Sequence, residues 1–218
     1  MKKLFLLLFC VMLCFTNCSE KGGTLASGRI GMHTWILSDD GMLTIDGIGE
    51  MPDYQVEPTE NLPPWLEFRN DITGVIIGND VSKIGDYVFF RCGNLASVTF
   101  GNAVTAIGNN AFSGCSSLTS VTIPNSITEI KIGIFYECSG LKSVSIPNSL
   151  IRIRDYAFFD CTSLTEITNH RGAPQIVGEQ AFGEIDKDNC TLFVPVGSEN
   201  AYRVANGWTD FVNIRAIQ

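Results

Sequence analysis

The sequence predicts a β-rich repeat solenoid, built from short parallel strands and short helical turns and closed by a cap at each end. Three observations predict it. The stretch "CSSLTSVTIPNSITEI", Cys115 to Ile130, returns 23 residues later as "CSGLKSVSIPNSLIRI", Cys138 to Ile153. Four copies align without a gap, at 75–97, 98–120, 121–143 and 144–166. Six positions hold one residue type in all four copies: Val75, Asn79, Ile84, Phe89, Cys92 and Leu95 with their equivalents. A unit of 23 residues cannot bury its apolar side alone, so it must stack on copies of itself.

The first segment stands apart from the fold. "MKKLFLLLFCVMLCFTNC" opens with Lys2 and Lys3 and runs apolar from Leu4 to Phe15, short of a bilayer span. It reads as an export signal over 1–17. Its ending "FTNC" resembles a bacterial lipoprotein signal, in which Cys18 would carry the lipid. A freely secreted form cut by an ordinary signal peptidase is the other reading. The expected address is therefore outside the cytoplasm, lipid-anchored to the outer membrane and exposed at the cell surface. Residues 18–28 are read as a linker. Losing Lys2 and Lys3, with no acidic residue, leaves 13 basic against 23 acidic residues, a net charge of −10.

The N-terminal cap is expected over 29–74. Thr34–Leu37, the turn "SDDG" at 38–41, and Met42–Ile45 read as a hairpin, since Asp40–Gly41 is a favoured turn pair. Trp35, Leu37, Leu43 and Ile45 would cover the first rung, with Trp65 in the corner.

Within each repeat, "LTSVTI" alternates. Leu118, Val121 and Ile123 face one way, and Ser120 and Thr122 the other, as in a short half-buried strand. Pro124–Asn125 breaks it, with Gly78 and Gly101 in the proline position of earlier copies. "ITEI" at 127–130 reads as a second extended segment. "GNNAFSGC" at 108–115 reads as a tight helical turn, with Phe112 and Cys115 inward and Ser113 outward. A fifth copy, 167–189, is degenerate: "NHRGAPQ" replaces the tidy turn, and Ile185 stands in the cysteine position. The C-terminal cap, 190–218, holds a strand at Leu192–Val194. A short helix should follow at Glu199–Asn206, with Ser198 as N-cap and Gly207 beyond its end. Trp208, Phe211 and Ile214 should close the stack.

The "LtsVtIPnSvteIgdyAFsgCssL" pattern resembles the BspA-like branch of leucine-rich-repeat surface proteins. "WILSDDGMLTIDGIGEMPDY…PPW" (35–65) is similar to the segment that often precedes such repeats, and "CTLFVPVGSENAYRVANGWTDFVNI" (190–214) to their closing segment. The resemblance implies a cell-surface solenoid used for adhesion or recognition, and no catalytic residues.

Composition agrees with a packed, non-enzymatic protein. Of 218 residues, 45% are hydrophobic and 17% charged, with a formal charge of −8, which argues against a nucleic-acid partner. His33 and His170 have no evident catalytic partner. "DKDN" (186–189) and "SDD" (38–40) lack the full acidic spacing of a calcium loop. Cys92, Cys115, Cys138 and Cys161 are spaced by the 23-residue period, unlike the close pairs of metal sites. No metal or cofactor is expected. These cysteines, with Cys190, read as buried thiols; disulfides along the ladder are the alternative. Asn189–Cys190–Thr191 is formally a glycosylation triplet without evident meaning.

Two surfaces remain. The outward strand positions give Ser97, Thr99, Ser120, Thr122, Ser143, Ser145, Glu166 and Thr168, a hydroxyl face turning acidic at one end. Lys142, with His170 and Arg171 at the open end, would supply irregular specificity. Opposite lie Tyr87, Phe90, Tyr136, Tyr156 and Phe159, an aromatic stripe that either binds polysaccharide or partly covers the phenylalanine ladder. The expected function is recognition of a protein partner, at the cell surface or on a host, by a monomer using the hydroxyl face. Polysaccharide binding through the stripe is the alternative, and a hydrolase accessory role the second.

Overall fold

The computed structural model describes residues 23–56 and 61–218. Cys18 and the export segment lie outside the described residues.

The chain opens with a three-stranded antiparallel meander, β1 (Thr24–Ile30), β2 (His33–Ser38) and β3 (Met42–Gly47). Strand β1 begins inside the segment read as linker, so 24–28 is paired strand. The hairpin of 34–45 is present, with one more strand on its outer side. It is also more than a lid. Strand β3 pairs in parallel with β5, Leu43 opposite Val75 and Ile45 opposite Ile77, and the two-residue β4 (Gly49–Glu50) pairs with β6. The cap is thus itself a rung. Its sequence carries a longer connection, which includes a 3-10 turn at Leu66–Phe68.

From there each rung contributes one strand to each of two sheet faces. These are β5 (Gly74–Ile77) and β6 (Val81–Ile84), β7 (Ser97–Thr99) and β8 (Ala106–Ile107), β9 (Ser120–Thr122) and β10 (Glu129–Ile130). Next come β11 (Ser143–Ile146) and β12 (Arg152–Ile153), then β13 (Glu166–Asn169) and β14 (Ile176–Val177). Strand β15 (Thr191–Val194), helix α1 (Glu199–Val204) and strand β16 (Asn213–Ala216) end the chain. The register matches the repeat alignment: Val121, Val144 and Ile167 lie side by side.

The turns at the Phe and Cys positions are not helical. Residues 87, 110, 133 and 156 take left-handed backbone, with φ from 52 to 59°, and so do Arg91, Gly114, Glu137 and Asp160. Two left-handed residues per turn interrupt any helix and aim the intervening N–H groups at the next rung instead. Phe112 N–H reaches Ile134 O at 3.0 Å, and Phe135 N–H reaches Ala157 O at 2.9 Å. These turns therefore form a third backbone ladder down the stack.

The core is a set of columns. Trp65, Phe89, Phe112, Phe135, Phe158, Phe182 and Trp208 form one continuous file of rings, with centroids 5.1–5.9 Å apart. A tryptophan closes each end because its larger face covers the last phenyl ring. Trp65 Nε1–H donates to Val88 O at 3.1 Å and Trp208 Nε1–H to Gln175 O at 3.3 Å, so neither indole is left unpaired. Ser113, expected outward, is buried: its short side chain sits between the longer ones of Phe90 and Tyr136 in the same column.

The two strands of each rung do not build two continuous sheets: they fall into four. Strands β7 and β9 are not hydrogen-bonded to each other, and neither are β8 and β10. The turn ladder stays closed at the same junction, so rungs two and three splay like a hinge open on the sheet side. Sequence accounts for this. Gly78 N–H and His170 N–H each donate back to the preceding rung, at 2.8 and 2.9 Å. Pro124 has no N–H to do so. Pro147 shares that deficit without opening, and the difference is Phe100, which fills a position held by isoleucine in Ile77, Ile123 and Ile146. Its ring meets Phe112 of the same rung edge-on at 5.9 Å and stays half-buried at the opening.

At the C-terminus, α1 ends at Val204, two residues earlier than expected, and Ser198 makes no side-chain capping bond. Gly207 takes φ +81°. Beyond it β16 adds a strand that the sequence reading did not foresee, parallel to β15 with Leu192 opposite Ile214. Among the described residues no helix is long and apolar enough to cross a membrane.

Candidate functional site

The sheet face brings the predicted hydroxyls into two rows. Ser120, Ser143 and Glu166 stand in register, as do Thr122, Ser145 and Thr168, with Ser97 and Thr99 across the hinge on β7. The side chains of Ser97, Thr99, Ser120, Thr122 and Ser143 make no hydrogen bond to another described residue, so their hydroxyls are available. Ser145 Oγ lies 3.3 Å from His170 Nε2, and Thr168 Oγ1 lies 3.5 Å from a Glu166 carboxylate oxygen. Lys142 is exposed beside them.

Two expectations about this face are corrected. It does not end at Glu166: Thr191 and Phe193 of β15 and Asn213 and Arg215 of β16 extend the rows, so basic and aromatic groups lie beyond the acidic one. His170 and Arg171 accordingly sit mid-face rather than at an open end. Arg171 is anchored, an Nη1–H donating to Asn148 O at 2.9 Å. At the other end the row alternates isoleucine with threonine. Ile36, Thr44, Ile76 and Thr99 are in register, and Ile36 and Ile76 are exposed.

The hinge makes a cleft in this face. A cavity of about 450 Å³ lies between β7 and β9, lined by Val98, Phe100, Thr99, Asn102, Thr122 and Asn125 among others. Val121 and Val144 are buried in the same column, and Ile123 and Ile146 in the next. Val98 and Phe100 are only half-buried. The cleft therefore offers an apolar floor rimmed by hydroxyls and carboxamides. Phe100 was the visible signal, as the one break in the isoleucine column of the four gapless copies.

The five aromatics fall into two columns across the turns. Tyr87 and Tyr156 share one column with Asn110 and Gly133 between them. Phe90, Tyr136 and Phe159 share the other, with Ser113 in the gap. Neighbours pack where they can: Tyr136 stacks on Phe159 at 5.3 Å, Tyr87 meets Phe90 edge-on at 5.7 Å, and Tyr156 meets Phe159 likewise. Tyr156 is exposed and the other four are half-buried. The stripe is thus interrupted, and the interruption is a groove of about 520 Å³.

The thiols of Cys92, Cys115, Cys138, Cys161 and Cys190 are buried and free. Burial pushes Cys92, Cys138 and Cys190 up to about 12 and Cys115 and Cys161 well above the ordinary thiol value. They have no thiolate character to offer a metal or a substrate. His33 is buried in the meander, its Nε2 3.4 Å from Gly49 O, and far from His170 along the stack. Among the described residues no three metal-ligating side chains come together.

The family model described as a BspA type leucine rich repeat region matches residues 67–187, in six copies. The chain belongs to the BspA-type leucine-rich repeat family. No curated protein aligns significantly with it. A leucine-rich repeat protein of Eubacterium ventriosum, known by crystal structure, is similar, with 27% identity and a TM-score of 0.54 over 68% of this chain. A leucine rich cell surface protein of Faecalibacterium prausnitzii is 25% identical over 78% of this chain, with a TM-score of 0.46. The chain spans 44% of the first of these structures and 54% of the second.

Proposed function

We propose that this BspA-type protein is a non-enzymatic recognition protein, exported and held to the outer membrane by lipid on Cys18, which binds a protein partner through the sheet face of the solenoid. The observation that carries this reading is the cleft between β7 and β9. Protein interfaces concentrate their energy where an apolar side chain fills a pocket inside a polar surround. Val98 and Phe100 supply such a floor, and Thr99, Thr122, Asn102 and Asn125 the surround. The free hydroxyls on either side are short, so ordering them costs little side-chain entropy on binding. Ile36 and Ile76 extend the apolar contact toward the N-terminal cap.

The test uses bacteria displaying the full chain, captured on a protein-coated target surface. The double substitution Thr99→Arg with Thr122→Arg should abolish capture by bulk alone, because both positions are exposed and surface changes of this kind leave stability within about 0.5 kcal/mol. Protease treatment of the target should have the same effect and periodate oxidation none. Capture that survives the arginine pair, or that periodate removes, would overturn the reading.

A further inference from the structure

The groove in the aromatic stripe lies on the turn side of the stack, away from the strand positions that carry the hydroxyl face, and its chemistry differs. We propose that it is a second binding site, for a neutral saccharide. Its origin is legible rung by rung. Where neighbouring rungs carry Tyr87 and Phe90 or Tyr156 and Phe159, the second rung carries Asn110 and Ser113, and the third has Gly133 in place of one aromatic. Three small side chains thus leave a hollow of about 520 Å³ between Tyr87 and Phe90 on one side and Tyr136 and Tyr156 on the other. That volume falls in the range of small-molecule sites.

The floor decides the ligand class. Ser113, 3% exposed, and Asn110 both line the groove, and neither the Ser113 hydroxyl nor the Asn110 carboxamide makes a hydrogen bond to another described residue. An apolar side chain pressed into the groove would strip water from both groups and return nothing, which is unfavourable. A sugar ring presents hydroxyls that donate and accept around its rim, and C–H faces that lie flat on aromatic rings. Aromatic walls over an unpaired polar floor match that combination and no apolar peptide does. Charge sets the subclass. Arg91, held over the Phe90 ring at 5.1 Å, and Glu137 flank the groove with opposite signs, while the whole chain carries −8. An acidic polysaccharide would gain nothing at the rim and be repelled by the remainder.

One substitution fills the groove without disturbing the fold. Asn110→Tyr places at φ +52° the residue that Tyr87 and Tyr156 already hold at φ +57° in the same turn. The experiment is affinity electrophoresis of the protein through gels containing a soluble β-glucan, an α-mannan or an arabinoxylan. The wild type should be retarded by at least one of them. Asn110→Tyr should lose the retardation, and Tyr136→Ala should weaken it at least tenfold, with unchanged thermal melting of Asn110→Tyr certifying its fold. Thr122→Arg, on the sheet face, should be retarded like the wild type, so this site and the protein-binding reading fail independently. No retardation of the wild type by any of the three polymers, or undiminished retardation of Asn110→Tyr, would overturn the proposal.

Discussion

The Cys138 thiol donates to the carbonyl oxygen of Phe112, one rung earlier, at 3.1 Å. Cys115 does the same to Phe89 at 3.3 Å and Cys161 to Phe135 at 3.2 Å. Each of these cysteines therefore fills core volume and adds a second hydrogen bond to a carbonyl that already accepts a backbone N–H, as Phe112 O does from Cys115 N–H at 3.2 Å. The repeat retains cysteine for a packing reason, and thiol chemistry is suppressed by the same burial.

The thiols should accordingly be silent until the stack opens. A maleimide reagent should label none of Cys92, Cys115, Cys138, Cys161 and Cys190 in the folded protein and all of them after denaturation under non-reducing conditions. Native labelling, or a mass lower by two hydrogens per pair, would contradict the packing.

Alkali should unfold the protein. The ordinary thiol value is 9.0, and burial raises the folded value to about 12 for Cys92, Cys138 and Cys190 and well above the ordinary one for Cys115 and Cys161. A raised folded value favours the neutral form, so the stabilisation is complete below about pH 9 and is lost as pH rises toward 12. Each thiol contributes a slope of about 1.4 kcal/mol per pH unit. Five would approach about 7 kcal/mol per unit, comparable to the whole stability of a domain. The urea midpoint should fall steeply between pH 9 and pH 10.5, and a flat midpoint would contradict the account.

The ring file sets the register energetically. Phe112→Ala, with stacked neighbours at 5.1 and 5.7 Å, should cost about 3–5 kcal/mol. Thr119→Ala, exposed between turn and strand, should change stability by less than about 0.5 kcal/mol. Denaturant unfolding of both variants measures the contrast, and equal costs would mean that the rings do not carry the core.

The anchor is tested separately. Growth with labelled palmitate should mark the wild type and not Cys18→Ala, and an unlabelled wild type released to the medium would remove the membrane from the account.

Strict periodicity made most of this fold legible. The inward columns from Val75 to Leu164 follow directly from residues recurring at one spacing, and their burial leaves no exception among Phe89, Phe112, Phe135 and Phe158. What escaped was wherever the period lapses. Rung zero, Leu43 to Met51, was hidden because it lies out of the period: Leu43 pairs with Val75, 32 residues on rather than 23. Strand β16 was hidden because one short strand has no copy to align with. The turns misled because the compact segment "GNNAFSGC" reads as a helical turn, whereas left-handed residues such as Tyr87 and Glu137 direct the backbone bonds between rungs. The two candidate sites are lapses as well. Phe100 among isoleucines opens the sheet, and Asn110 with Ser113 among aromatics opens the groove. Sequence displayed both substitutions, but only the stacked arrangement turns a missing or oversized side chain into a hollow.

The central claim, recognition through the sheet face, is tested most directly by mapping contacts on living cells. A photo-crosslinking residue is introduced singly at Thr122 and Ser145 on that face, and at Thr105 and Thr128 beside the opposite strands β8 and β10. The account predicts one protein adduct, formed from Thr122 and Ser145, absent from Thr105 and Thr128, competed by excess unlabelled protein and lost when Thr99→Arg is added. Equal adducts from Thr105 and Thr128, or no competable adduct from Thr122, would contradict it.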